Sequence, residues 1–365
     1  MRRVLVLLSA LLLIAANAFA GGGKEQGTAG GTQAQAAAPT AKWRIALSND
    51  YAANSWRQQM LRDWKFAVDK AKGTGLIAEG PAFTTNESSA AEQAAQIQNL
   101  ILEGYNAIVL DAASPTALNG AVDKAVAAGI PVVSFDNAVT SPKAYRLITD
   151  FEWYGSYEVD YITKHLTTSG NLLEIRGLAG TYVNDAIHKG ILEGLKNYPN
   201  LKIVGQVYGN WDEATAQKAV AGILPSLPKI DAVVDQGGDG YGAVMAFKDA
   251  GRPIPMVIMG NRYDELAVWK EMKDKNGYDT TSCTISPSSV QIAFWTALEV
   301  LNGKQVPMEM KLRPLVIPAD KLDFFLAHTE KGGVASIYYP QSWVQQLIAN
   351  AKDGKPAPND PISAE

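Results

Sequence analysis

From Trp43 onward the chain alternates short apolar runs with amphipathic stretches of helical length, and this alternation constrains the fold more than any other feature of the sequence. Strand-like runs lie at 43–48, 107–110, 131–135, 171–175, 202–207, 232–234, 256–259 and 283–285. Between them Met60, Trp64, Ala67 and Ala71 recur at helical spacing, as do Ala90, Ala94, Ile97 and Ile101. Strand then helix, repeated, predicts parallel sheets covered on both faces, an α/β architecture. At 365 residues and 47% hydrophobic content there is enough chain for two buried cores.

An internal echo supports two similar halves. A run ending at Asp111 leads through a helix to Gly129, Pro131 and a strand ending at Asp136, and a run ending at Gln236 leads through another to Gly251, Pro253 and Asn261. Asp111 and Asp136 stand 25 residues apart, as do Gln236 and Asn261. The alternative is that any two strand-helix-strand units of common size look alike. Open parallel sheets bind ligands beyond the carboxyl ends of their strands, so the residues just past each strand are the candidates.

Those positions carry Asn49, Asp50, Asn54, Trp56 and Arg57, then Asp111, Asp136 with Asn137, Gln236 with Asp239, and Asn261. A sugar hydroxyl both donates and accepts a hydrogen bond, so carboxylates and amides can fix several hydroxyls in one geometry. Trp56 and Trp211 offer flat faces for the C–H surface of a sugar ring. Any one of these residues could instead cap a following helix. As a group they favour binding.

Other function classes fit less well. With 33 Lys+Arg against 37 Asp+Glu and a net charge of -4, the chain lacks the uniform basic field that binds nucleic acid. A DNA-binding helix-turn-helix ahead of Trp43 is also missing. The single Cys283 permits no intramolecular disulfide and reads as a buried, unreactive thiol, while His165, His188 and His328 show no metal-ligand spacing. Neither a metal nor a cofactor is expected. Gly238, Gly240 and Ala243 fit the pattern of a dinucleotide-binding turn, yet this turn lies mid-chain and the first strand has none. Close backbone approach to a ligand, or a tight turn into the helix, accounts for the glycines equally. Asp111 and Asp136 could be the paired carboxylates of a glycosidase, which spacing alone does not separate from pure binding. The expectation is a protein that is not an enzyme.

The amino terminus predicts export. Arg2 and Arg3 precede an apolar run at 4–16, and Ala18 and Ala20 flank Phe19 in a small-x-small cleavage pattern, so 1–20 reads as a cleaved signal peptide. About 13 apolar residues fall short of the roughly 20 needed to span a bilayer. Residues 21–41, almost wholly Gly, Ala, Gln and Thr, read as a flexible low-complexity linker.

Several motifs in order carry a resemblance. Residues 45–48 followed by Asn54, Ser55 and Trp56, the strand at 131–136, the turn at 177–181 before a helix ending at 190–194, and the segment 298–304 are similar to ribose-binding protein and its relatives. The similarity runs from about 43 to 317. It implies a type I periplasmic binding protein, with two Rossmann-like lobes whose parallel sheets are joined by a three-strand hinge. It further implies closure over a monosaccharide or polyol, and service to the permease and ATPase of an ABC importer. The periplasm is the expected location and a monomer the expected state, and a chemoreceptor could read the closed form as well. The corresponding division is 42–148 plus 287–313 for the first lobe, 149–286 plus 314–345 for the second, and 346–365 as a tail.

Carried over by motif, the resemblance nominates Asn54 with Trp56, Asp136, Trp211 as the stacking aromatic, Asn261, and Ser286 near a crossover. Asp111, Asp185, Gln236 and Asp239 correspond more loosely. Asn137 stands where an Arg commonly follows the Asp, and Asp185 falls where another ligand-binding Arg is expected. Replacing a guanidinium fork with short acceptor-bearing groups predicts recognition of a hydroxyl pattern other than that of ribose. Beyond Pro318 the resemblance gives no guidance, and Tyr338, Tyr339, Pro340 and Trp343 are predicted to pack the tail against a lobe.

Overall fold

Seven strands make the first sheet in the computed structural model, which describes residues 43–86 and 88–362. The signal and linker assigned to 1–20 and 21–41 lie outside the described residues. In chain order the first lobe contains β1 (Trp43–Asn49), α1 (Ser55–Gly73), β2 (Ile77–Glu79), β3 (Ala82–Thr84), α2 (Ala90–Leu102), β4 (Ala107–Leu110), α3 (Asn119–Ala127), β5 (Val132–Ser134) and β6 (Tyr145–Thr149). The second follows with α4 (Phe151–His165), β7 (Gly170–Arg176), α5 (Tyr182–Leu195), β8 (Leu201–Tyr208) and α6 (Glu213–Ile223). It continues through β9 (Ala232–Val234), α7 (Gly240–Asp249), β10 (Met256–Val257), α8 (Tyr263–Asn276) and β11 (Ser282–Thr284). The chain ends with α9 (Ser289–Leu301), β12 (Glu309–Leu312), β13 (Leu315–Ile317), α10 (Leu322–Ala327) and α11 (Gln341–Lys352).

The first sheet runs β12-β6-β5-β4-β1-β2 with β3 also on β1, and the second runs β10-β9-β7-β8; all of these pairings are parallel. Strand order reverses beside β1 in one sheet and beside β7 in the other, so each lobe has a crevice at its strand ends. β4, β5 and β9 are buried at every residue, as strands covered on both faces must be. α1 and α9 share a face of the first sheet, while α4 and α5 cover one face of the second. Gly190 allows the latter helices to meet, since a Cβ there would come within 2.0 Å of the Glu152 carbonyl.

Among the described residues up to β13, the chain crosses between the lobes three times: from β6 into α4, from β11 into α9, and from β12 into β13. The run at 283–285, expected as a sheet strand, instead forms β11, antiparallel to β13 in a separate two-stranded ladder. A crossing segment pairs with the other crossing segment because both pass out of the parallel layers. Similarly, only Met256 and Val257 of the run at 256–259 form a strand, with an isolated bridge from Met259 to Ser282 beyond them.

The chain past β13 divides. α10 packs on α8 of the second lobe, whereas α11 packs on α9 and β12 of the first. The segment 314–345, expected with the second lobe, therefore returns to the first from Ser336 onward, ahead of α11. Trp343, Val344, Leu347 and Ile348 form a buried stripe on α11, which α9, itself buried over most of its length, can cover. The segment from 346, expected as a tail, completes this helix to Lys352 and then folds back, with the Trp343 indole N–H donating to Asn359 O at 2.8 Å and the Tyr339 hydroxyl to Asp360 at 2.7 Å. Among the described residues no helix is long and apolar enough to cross a membrane.

One buried acid gives the fold a pH dependence. Asp63 on α1 accepts from the Ser336 hydroxyl at 2.6 Å and from Gln59 at 2.9 Å, yet burial pushes its carboxyl up to about 6. A folded-state pKa above the ordinary 3.8 contributes stability that is complete below pH 4 and lost as pH rises to about 6. Asp63→Asn should flatten that part of the stability curve, by on the order of 2–3 kcal/mol in chemical denaturation between pH 4 and 7. An unchanged slope would show that Asp63 is not the group responsible.

Candidate functional site

On the first lobe the site grows from the start of α1. Asn54 caps this helix, accepting from the Arg57 backbone N–H at 2.8 Å while its amide donates to the Tyr51 hydroxyl at 2.9 Å. Capping and facing the cleft are thus done by the same residue. One turn in, the buried Arg57 guanidinium meets three carboxylates gathered from three strand ends: it contacts Asp111 and lies 3.4 Å from both Asp50 and Asp136. The rings of Tyr51 and Trp56 lie 5.1 and 5.0 Å from it. One cation among three acids leaves this wall rich in acceptors. Asp136 sits in the left-handed region at φ 52°, a strained backbone for a residue with a Cβ. Burial raises its carboxyl pKa, Arg57 opposes that rise, and Asp50 adds to it.

The second lobe contributes an aromatic and two amides. Asn210 and Trp211 are both left-handed, at φ 57°, and the Trp211 ring rests on Gly177, where a Cβ would come within 2.2 Å of it. Only glycine permits that approach. Arg262 donates to the carbonyls of Trp211 at 2.7 Å and Gly238 at 2.5 Å, which pins both turns. Gly237 and Gly238 have φ near 83–84°, and a Cβ on Gly238 would strike the Arg262 guanidinium. The glycine pattern there accordingly serves a tight turn packed beneath an arginine. Gln236 accepts from the Gly177 N–H and donates to Asn184 O, both at 3.0 Å. The Asn261 amide accepts from the Thr284 hydroxyl at 2.9 Å and donates to Ala335 O at 3.0 Å.

These groups meet in a cleft of about 380 Å³ lined from both lobes. Of the residues nominated from sequence, Asn54, Trp56, Arg57, Asp136, Asn137, Trp211, Gln236 and Asn261 line it. Four do not. Asp111 is fully buried beneath Arg57. Asp239 is buried against Gly209, and burial together with the charges of Asp235 and Glu265 drives its carboxyl well above the ordinary range. Asp185, on the first turn of α5, points outward and pairs with Arg176 at 3.0 Å. Ser286 turns to the far side of the crossing, where it bonds Ser288 at 3.1 Å and lines a separate cavity of about 150 Å³.

Sequence reasoning missed other lining residues. Tyr51, Ser88, Thr181, Arg262, Thr284 and Val334 belong to the cleft, as does Asp50, noted at its strand end but not nominated. Arg262 follows a nominated strand-end residue directly and could have been found by extending that rule one position. Val334 had no such signal, since it lies far beyond the sheets. Trp56 meanwhile ties the cleft to a crossing, its indole N–H donating to Ile285 O at 2.9 Å. Among the described residues no group of three or more His, Cys, Asp or Glu is placed to hold a metal.

Residues 45–305 match the sequence profile of the periplasmic binding protein domain. The chain belongs to this family. Among its relatives, the xylitol-binding protein of Mycolicibacterium smegmatis is 30% identical over 242 residues, covering 65% of this chain and 68% of that one. The ribose import binding protein of Bacillus subtilis is 25% identical, covering 60% and 70%. An ABC transporter solute binding protein from Thermobispora bispora superposes with a TM-score of 0.76 at 34% identity, covering 88% of this chain and 99% of that structure. A solute binding protein from Bacillus halodurans with bound myo-inositol, at 18% identity and a TM-score of 0.66, shares the fold. As a periplasmic binding protein the chain is of the two-lobed, type I kind, joined by crossing strands.

Proposed function

We propose that this periplasmic binding protein captures a neutral monosaccharide or related polyol and delivers it to the permease and ATPase of an ABC importer. The observation that carries the reading is the facing of Asp50 and Asp136 on one wall by Trp211 and Asn261 on the other, within one cleft of sugar-sized volume. Carboxylates accept from hydroxyls, the amide fixes orientation, and the free face of the indole takes the C–H side of a ring. Relatives named for xylitol, apiose and ribose agree with a small polyhydroxylated ligand.

The proposed lobes are 42–148 with 287–313 and α11, and 149–286 with α10, and ligand bridging both walls favours their closure. In this reading the protein acts as an exported monomer. A glycosidase pair of Asp111 and Asp136 is disfavoured, because Asp111 lies under Arg57 and off the cleft surface.

A thermal-shift screen of pentoses, hexoses, furanoses, polyols and inositols tests the proposal. A ligand at 100 times its Kd should stabilise the folded protein by about 2.7 kcal/mol. Intrinsic tryptophan fluorescence should change with the same ligand. A screen in which no polyhydroxylated compound raises the melting temperature, or release of reducing sugar from a glycoside panel, would count against it.

A further inference from the structure

The family match ends at 305, yet the chain beyond it enters the site. After α10 the segment from Gly333 runs beside the second lobe: the Tyr263 N–H donates to Gly333 O at 3.0 Å, and Val334 bridges Arg262. Ala335 holds Asn261 from both sides, its N–H donating to Asn261 O at 2.7 Å and its carbonyl accepting from the Asn261 amide at 3.0 Å. Val334 meanwhile forms part of the cleft wall. The next residues belong to the other lobe. The Ser336 hydroxyl donates to Asp63 on α1 at 2.6 Å and lies 2.5 Å from the Ser288 hydroxyl at the start of α9. The Ile337 N–H then donates to Ser288 at 3.1 Å, and the Tyr339 N–H to Gln291 on α9 at 2.9 Å.

Adjacent residues of one extended segment therefore grip opposite lobes. Ala335 is bonded to a cleft amide of the second, Ser336 to a buried carboxylate of the first. We propose that residues 333–339 form a fourth connection between the lobes and are part of the binding apparatus, with Ser336 a positioning residue that couples the placement of Asn261 to the first lobe. Any rotation of one lobe against the other must load the Ala335–Ser336 peptide. A tail that merely packed on one lobe would carry no such load. The inference rests on the two-lobe reading above.

Ser336→Ala removes the hydroxyl bridge without touching the cleft surface. In ligand-free protein, hydrogen exchange at the Ala335 amide is expected to quicken about tenfold, the ratio that corresponds to losing roughly one hydrogen bond. Small-angle scattering should show a larger radius of gyration as the lobes gain range. Affinity for the best ligand of the screen should fall about tenfold. Ser336→Thr, which keeps the hydroxyl, should restore parental exchange and affinity. Because Ser336→Ala strips a buried carboxylate of one of its partners and can unfold the single variant, Asp63→Asn combined with Ser336→Ala removes the charge along with the Ser336 link. If that folded double variant keeps parental exchange at Ala335 and a parental radius of gyration, the segment is a passive tail and the proposal is overturned. Exchange and scattering require no ligand, so both outcomes can be read even if the sugar screen finds no binder.

Discussion

Arg57→Ala should lose about 3–5 kcal/mol of stability, more than any other single change at the cleft. The Arg57 side chain is 7% exposed, and those of Asp50 and Asp111 are 4% and 0% exposed. Without the guanidinium, three acids are left in a poorly solvated wall with no counter-charge. Protonation is their remaining escape, so the variant should recover toward the parent as pH falls and diverge from it as pH rises. Arg57→Lys keeps the charge but gives up the planar fork that faces several carboxylates at once, and should fall between the two. Urea denaturation at pH 5 and 8 measures this directly. A gap under about 1 kcal/mol, within the range of exposed ion pairs, would mean that the cluster is solvated and loosely held.

Removing the Asp136 carboxylate should weaken ligand binding by about one to two orders of magnitude, since a hydrogen bond to a charged group contributes roughly 1.5–3 kcal/mol. Its backbone complicates the obvious variant. At φ 52° an alanine is strained, whereas asparagine tolerates the conformation and glycine relieves it. Asp136→Gly should therefore show that full loss of affinity while leaving stability at or above that of the parent, and Asp136→Asn should retain part of the affinity through its remaining acceptor. Calorimetry with the ligand found by screening, alongside thermal melts, separates the two effects. Unchanged affinity in Asp136→Gly would remove this residue from the site.

Much of this arrangement is legible from the chain itself. Parallel strands that are buried on both faces give continuous apolar runs, so β4, β5 and β9 stand out, and their ends fall where the cleft forms. Edge strands give no such signal: β12 alternates exposed and buried residues, and β2 and β3 have only three residues each. A strand-end position locates a Cα but not the direction of its side chain. Asp136 faces the cleft, Asp111 lies under an arginine, and Ser286 faces the rear cavity because the crossing backbone turns there. Aromatic residues around Tyr339 and Trp343 announce packing, but which lobe receives them depends on α9, some fifty residues earlier by sequence.

Gly177 lies directly beneath the Trp211 indole, with no side chain between ring and backbone. It acts as a spacer of zero thickness, and it sets how far the plate stands from the opposite acids. Any larger residue there must lift the plate into the opening. Selectivity for a thick ring over a thin open-chain guest can thus be retuned at a position that never touches the guest.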